Sequence, residues 1–380
     1  MKHYFKVFLY WAALTAFVIG GSLLSSGLWG GKAESLRADM PLVYTPGMTA
    51  AQFSEVNRLP REVGESVIGA REVMTPYLDP SSLPEDELRS MVQRELALHN
   101  EEVSKNWRKI AIKFGLWLLF LGTVFVLLRR GLVQGALRNW LYFVGVTVFG
   151  VALGADPSPM GTVKDAIVLY GTSGAVFPPR LIALAVFLLL VVAANKFICS
   201  WGCQLGVLQD LLFRLGRASG LRQYKPAFAA VNAVRVLFFL AITVAALLFG
   251  LDLVEPVDPF KIYNPLAAGI WGWGFITLLL GASLFVYRPW CHLLCPFGLV
   301  GWLAEKISIY RITVNYSACL ACGACEKACP STVMGAILRR DRSIPDCFSC
   351  GDCLAVCPAK AVSFSAGRRE LPPPGKFKKI

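Results

Sequence analysis

The chain has 380 residues, 55% of them hydrophobic, with a mean hydropathy of +0.54 and a formal net charge of +13. That is too apolar for a soluble protein of this length, and it describes an integral membrane protein with polar appendages. The basic residues sit in short connections between apolar runs and in the C-terminal tail rather than in a stripe interleaved with aromatics. This argues for membrane topology and against a nucleic-acid partner.

In chain order, residues 1–6 are basic and 7–28 carry no charge. That run can span a bilayer, and it is too long for the apolar core of a cleaved signal peptide, so 1–30 reads as a transmembrane anchor. Residues 31–107 are polar and acidic and read as a small helical periplasmic region. Thr49-Ala-Ala-Gln52 has capping-box spacing and predicts a short helix over 50–57. Ser82-Leu83-Pro84-Glu85-Asp86-Glu87 predicts a second helix start, one that can run unbroken into the next span.

Five further apolar runs follow, at about 110–128, 139–154, 181–198, 228–250 and 268–287. Six spans with the N-terminus inside put the C-terminus inside. Arg129, Arg130 and Arg138 then lie on an inner connection, and so do Arg214, Arg217, Arg222 and Lys225. The outer connection 251–267 carries Asp252, Glu255 and Asp258. This follows the positive-inside rule. Lys105, Arg108, Lys109 and Lys113 run against it. The core 108–300 is followed by a two-cluster segment at 301–366 and a basic tail at 367–380. The predicted fold class is an α-helical membrane protein of about six transmembrane helices with a C-terminal α+β, two-cluster ferredoxin-like domain.

Ten of the twelve cysteines lie between 291 and 358. Two blocks, 319–330 and 347–358, share the spacing C-x2-C-x2-C-x3-C-P, the bacterial ferredoxin pattern for 4Fe-4S clusters. The fourth cysteine of each block ligates the other cluster in two-cluster ferredoxins. Cluster A then takes Cys319, Cys322, Cys325 and Cys357, and cluster B takes Cys347, Cys350, Cys353 and Cys329. Gly323 and Gly351 let backbone amides approach the sulfurs, and Pro330 and Pro358 stiffen the exits. Zinc would take its ligands in two pairs, which eight cysteines in two runs of four do not resemble.

Two C-x3-C pairs, Cys199/Cys203 and Cys291/Cys295, each begin just past an apolar run. A spacing of four places both sulfurs on one helix face. The similar sequence after each pair suggests two related half-sites. Together they offer four thiolates for a further cluster, redox-active dithiols, ligands for another metal, or packing thiols. The three histidines, His3, His99 and His292, lie outside the spans. No pair can therefore hold a b-type haem. His292, between two site cysteines, reads equally as a ligand or as an interfacial ring. Asn232 and Arg235 lie inside a span, where a charge is a functional candidate. Arg235 could balance cluster charge, contact a quinone head group or snorkel to the inner surface. Asp252, Glu255 and Asp258 could accept protons from a quinol or form a solvated acidic loop.

Paired C-x3-C(P) motifs ahead of two ferredoxin blocks resemble the NapH/NosR/CcoG group of membrane polyferredoxins, over roughly 140–365. Asp156-Pro-Ser-Pro-Met160 is similar to the group as well. Gln204 replaces the proline expected after the first pair. The region 31–107 is shorter than the flavin-bearing domain of NosR. Ser173-Gly174-Ala175 is followed by Val176 rather than the threonine of a flavinylation motif, so no covalent flavin is expected. The resemblance implies a multi-pass protein of the cytoplasmic membrane with its ferredoxin domain in the cytoplasm. It would pass electrons between the quinone pool and a respiratory or assembly redox protein, as a non-catalytic subunit. The alternatives are a maturation factor for a respiratory metalloenzyme and a membrane docking module with structural clusters. No P-loop, dinucleotide fingerprint or nucleophile–base motif is present.

Overall fold

The computed structural model describes residues 2–29, 36, 42–43, 48–72 and 85–377. Among the described residues, three helices are long and apolar enough to cross a membrane: α1 (Lys2–Trp29), α5 (Trp107–Arg129) and α11 (Phe228–Phe249). Each leaves large apolar side chains exposed, among them Leu24, Leu119 and Leu237. That surface suits lipid rather than water. Two apolar helices are shorter, α8 (Pro178–Ala194) and α12 (Ile270–Ala282). The run predicted at 139–154 forms α6 (Gly135–Val146), which continues into a π-helical turn over Thr147–Ala152. The end of α1 packs on that turn, where Ser25 Oγ and Trp29 Nε1 both donate to the Ala152 carbonyl, at 2.7 and 2.9 Å.

The polar region contains α2 (Ala50–Val56), α3 (Arg61–Glu72) and α4 (Glu85–Val103). The capping box predicted at Thr49 and Gln52 is present in both directions. The Ser82 cap lies outside the described residues. Phe53, Leu59, Val63, Val67, Val92 and Leu96 make a separate small core here. α4 does not run on into α5. The chain breaks after Val103, and the Asn106 side chain accepts from Lys109 N at 3.0 Å to start α5 afresh. A new N-cap turns the chain between two helices at less cost than leaving the first-turn amides unpaired.

α7 (Pro159–Ser173) was not anticipated. Its start is conventional, with Ser158 as N-cap and Pro159 in the first turn. Lys164 and Asp165 interrupt its apolar pattern, which hid it. Lys164 is buried, at 2.9 Å from Asp165 and 2.6 Å from Asp252. The acidic connection 251–267 is therefore partly an ion-pairing surface. Glu255 also pairs with Lys261, and Asp258 caps the Phe260 amide. Lys113, one of the cations that ran against the charge rule, is buried too and donates to the Gly154 and Asp156 carbonyls at 2.7 and 3.2 Å. It is a packing element, not a solvent-facing topology signal.

Four short or medium helices hold the C-x3-C pairs: α9 (Phe197–Trp201), α10 (Gln204–Ala218), α13 (Pro289–Leu293) and α14 (Pro296–Glu305). Beyond them, β1 (Tyr310–Val314) and β2 (Val362–Ala366) pair antiparallel with Ile312 opposite Phe364. Between the strands lie α15 (Ala324–Ala328), α16 (Val333–Arg339) and α17 (Asp352–Ala355). The sheet docks on the helical core through aromatic contacts. The Phe364 ring lies 5.6 Å from Phe125 and 6.4 Å from Phe197.

Candidate metal centres

The twelve cysteines fall into three groups of four, each lining its own small chamber. One chamber is lined by Cys319, Cys322, Cys325 and Cys357. A second is lined by Cys329, Cys347, Cys350 and Cys353. In both, the fourth cysteine comes from the other sequence block. The third brings Cys199 and Cys203 together with Cys291 and Cys295, although the two pairs are far apart in sequence.

The two ferredoxin blocks reach this arrangement through repeated backbone geometry. In each, the second residue after the first cysteine is left-handed, Ala321 at φ 50° and Ser349 at φ 51°. The glycine after the second cysteine is left-handed too, Gly323 at φ 70° and Gly351 at φ 81°. Alternation of this kind turns successive amides toward one concavity, which favours a negatively charged guest. Each glycine is also the N-cap of a short helix, α15 and α17.

The C-x3-C pairs do not lie on one helix face, contrary to the spacing argument. Cys199 is inside α9, whereas Cys203 is the N-cap of α10; likewise Cys291 is inside α13 and Cys295 is the N-cap of α14. The helix breaks between the two cysteines of each pair. The second sulfur then stands at the start of the new helix, where the nearby amides of Leu205 and Gly206 at Cys203, and of Phe297 and Gly298 at Cys295, favour its charged form.

Every element of the first half recurs 92 residues later. Cys203 N donates to Ile198 O at 2.8 Å, and Cys295 N to Trp290 O at 2.9 Å. Gly206 packs so closely that a Cβ would stand 2.5 Å from the Cys199 carbonyl oxygen; at Gly298 the distance to the Cys291 carbonyl is 2.6 Å. Lys196 and Arg288 also correspond, both fully buried. Each reaches across to the other half: Lys196 Nζ donates to Gly298 O at 2.9 Å, and Arg288 Nη1 to Cys199 O at 2.5 Å.

Burial pushes the thiols of Cys203 and Cys295 upward, the latter to about 12, despite the helix amides that favour thiolate. Burial thus disfavours the thiolate form, and a bound metal centre would supply the positive charge that favours it. Soft thiolate donors, helix-terminal amides and two buried cations fit an iron–sulfur cluster. Among the described residues no three His, Cys, Asp or Glu side chains close around a single ion. Thiolates ligating separate irons of a cubane need to stand further apart than those around one zinc.

Apart from Arg235, the buried cations beside the chambers are candidate site residues that sequence reasoning missed. Lys196 pairs with Asp346 at 2.8 Å, and Arg235 pairs with the same carboxylate at 2.9 Å, all three fully buried. Arg235 also donates to Asn232 at 2.7 Å. Arg235 therefore does not snorkel; with Asn232 it is turned inward, onto the residue preceding Cys347. Burial pushes the Asp346 carboxyl up, but Lys196 and Arg235 outweigh this and hold it at about 2. Arg288 pairs with Asp210 at 2.7 Å, and Asp352, beside Cys353, takes Arg138 and Arg214. His292 Nδ1 lies 4.0 Å from Asp346, and its ring is 5.0 Å from Phe348, edge-on. Phe348 itself lines both the third chamber and that of Cys329, Cys347, Cys350 and Cys353.

Comparison with known proteins agrees with this chemistry. A family described as 4Fe-4S binding domain matches residues 176–222 and 268–309, which contain the two C-x3-C pairs. A second family of the same description matches 312–332. YccM of Escherichia coli, whose name carries a provisional electron-transport assignment, is 26% identical over 240 residues, covering 59% of this chain and 62% of that protein. The methylamine utilization ferredoxin-type protein MauN of Paracoccus denitrificans is 29% identical over 177 residues, 44% of this chain and 61% of MauN. The ferredoxin-type protein NapH of Escherichia coli is 28% identical over 152 residues, 39% of this chain and 52% of NapH. The chain thus spans less than two thirds of the length of these relatives. No solved structure matches it significantly. These matches define a class of protein that carries 4Fe-4S binding domains beside apolar helices long enough to cross a membrane. Within that class, the chain is similar over part of its length to the membrane polyferredoxin-type proteins NapH and NosR.

Proposed function

We propose that this chain carries electrons between the quinone pool and a redox partner through three 4Fe-4S clusters, two in the ferredoxin blocks and one between the C-x3-C pairs. Such clusters take up and release single electrons at potentials set by burial and neighbouring charge. Cys319, Cys322, Cys325 and Cys357 hold cluster A, and Cys347, Cys350, Cys353 and Cys329 hold cluster B. Cys199, Cys203, Cys291 and Cys295 hold the third. The six apolar runs are six passes of the cytoplasmic membrane, with the ferredoxin domain on the cytoplasmic side.

The observation that carries this reading is the continuity of the chambers. Phe348 belongs to the wall of the third chamber and to that of cluster B, and Cys325 and Cys329 deliver α15 to clusters A and B from one helical turn. Lys196 and Arg288 stand beside the third chamber, each paired with a buried carboxylate, Asp346 and Asp210, so that no lone charge is left there. The partner is a respiratory or assembly redox protein.

The test is iron and acid-labile sulfide per chain in the purified protein, with electron paramagnetic resonance of the reduced form. About twelve irons are expected, falling to about eight in Cys199→Ser or Cys291→Ser. About eight in the unaltered protein would remove the third cluster. Clusters indifferent to every quinol tried would remove the link to the quinone pool.

A further inference from the structure

An apolar pocket of about 380 Å³ opens between α5, α7 and α8. Its size lies within the range of small-molecule sites. Trp107, Ile110 and Phe114 form one wall, and Phe177, Ala183 and Val186 another. At its polar end sits Arg180, whose side chain is only 8% exposed. Nη2 donates to Glu101 at 2.7 Å and stands 3.7 Å from Asp165. Nη1 is buried without any partner. A buried guanidinium N–H lacking an acceptor is uncommon and costly, so it points to a missing one.

Two features of the surroundings narrow the occupant. Asp165 lines this pocket and also a larger, more polar cavity shared with Lys164, Glu255 and Asp258. A proton leaving the pocket therefore has a carboxylate at the boundary. The pocket's back wall is Ser158, Gly161 and Thr162, while the intervening Pro159 and Met160 line the chamber of the four C-x3-C cysteines. One short stretch of chain separates the two spaces.

We propose that this pocket binds the ring of a quinone-type lipid carrier, with Arg180 Nη1 donating to a ring oxygen and Asp165 standing at the proton outlet. The aromatic walls suit a flat ring. The hydrocarbon part of a lipid tail fits the walls but offers no acceptor to Arg180; competition by phospholipid tests whether a lipid ester or phosphate takes that place. The proposal rests on the reading that the chain exchanges electrons with the quinone pool, and it moves the contact away from Arg235 and Asn232: Nη1 and Nη2 of Arg235 are taken by Asp346, Gly298 O and Asn232, and among the described residues its partnerless Nε lines no pocket of this size.

The experiment uses the full holoprotein in nanodiscs, photolabelled with an azido short-chain ubiquinone, alongside equilibrium binding of decylubiquinone. Label is expected on peptides containing 107–114 or 177–186, and decylubiquinone should compete for it. Arg180→Met should weaken binding about tenfold to a hundredfold, the range for a hydrogen bond to a charged group. Ala183→Phe, which leaves the Arg180–Glu101 pair intact, should abolish labelling by filling the pocket. Leu237→Phe, on an exposed face of α11, should change nothing. Label landing elsewhere, competition by phospholipid but not by quinone, or unchanged affinity in both pocket variants would overturn the proposal. If quinol still reduces the clusters of both pocket variants at the normal rate, the site is wrong and the carrier function stands. If quinone binds here but no quinol alters the clusters, the site stands and the carrier function falls.

Discussion

Replacing Asp346 by asparagine tests how the cluster-bearing segment is fastened to the membrane helices. The carboxylate stands 2.8 Å from Lys196 Nζ and 2.9 Å from Arg235 Nη1, and none of the three side chains reaches solvent. Asparagine keeps the volume and one acceptor oxygen but leaves two buried cations facing a neutral group. Removing one partner of a buried pair costs about 3–5 kcal/mol, because the remaining charge stays desolvated. At about 2 °C per kcal/mol for a large chain, the unfolding midpoint should fall by roughly 6–10 °C. The assay is thermal unfolding of detergent-solubilised protein, followed by loss of the iron–sulfur absorbance and by helical circular dichroism. Adding Lys196→Met to Asp346→Asn should restore part of the loss, since it removes one stranded charge; the double-mutant cycle measures that coupling. A single variant within about 0.5 kcal/mol of wild type, or a double variant showing no recovery, would refute the view that this triad is a desolvated fastening.

Gly298→Ala and Gly206→Ala should lower both stability and iron content. Glycine to alanine inside a helix ordinarily gains up to about 1 kcal/mol, but here the new Cβ would meet a backbone carbonyl at 2.6 or 2.5 Å, so a loss of about 1–3 kcal/mol is expected. Gly274→Ala in α12, with open space around it, supplies the opposite sign as control. Asp258, in the connection between α11 and α12, is pushed up to about 6 by burial, which Lys164 only partly offsets. Its folded form holds a proton that the unfolded chain has released, so stability falls as pH rises from about 4 to about 6 and stays low above that. Asp258→Asn should therefore raise the unfolding midpoint at pH 7.5 by up to roughly 3 kcal/mol equivalent, with the gain shrinking toward pH 5. A gain that does not shrink would place its cause elsewhere.

What the sequence disclosed and what it hid follow from the range of the interactions. The ferredoxin blocks were legible because their geometry is local: four cysteines, a glycine and a proline within twelve residues dictate the loop. The long apolar helices were legible for the same reason. The helix break inside each C-x3-C pair was not, because the α-helical period alone predicts continuity. The visible sign was Pro296, a residue that favours a helix start, but Gln204 takes its place in the first half and begins a helix without that cue. α7 was hidden by Lys164, a charge that looks like a loop residue until Asp165 and Asp252 are seen around it. The buried cations were hidden most completely. Lys196 and Arg288 stand at the ends of apolar runs, where the positive-inside rule explains them as solvent-facing charges. Their partners, Asp346 and Asp210, lie 150 and 78 residues away.

The same two cations show how the repeated halves differ in use. Lys196 and Arg288 occupy equivalent places, and each holds the backbone of the opposite half. Their carboxylate partners are not equivalent. Arg288 is neutralised by Asp210, on α10 of the membrane core itself, with the hydroxyls of Tyr142 and Tyr287 also donating to that carboxylate. Lys196 is neutralised by Asp346, which precedes the first cysteine of the second ferredoxin block. One half of the pseudo-symmetric chamber is thus closed from within, and the other is closed by the ferredoxin segment. Phe348, two residues after Asp346, is set by the same contact, with Lys196 at 4.7 Å and Arg288 at 5.1 Å from its ring. Docking the ferredoxin segment therefore completes the charge balance of the membrane chamber and places the shared wall between chambers in one step. A cluster-bearing segment docked without Asp346 would leave Lys196 and Arg235 uncompensated, so the ion pair ties correct assembly to the continuity of chambers on which the proposed electron passage rests.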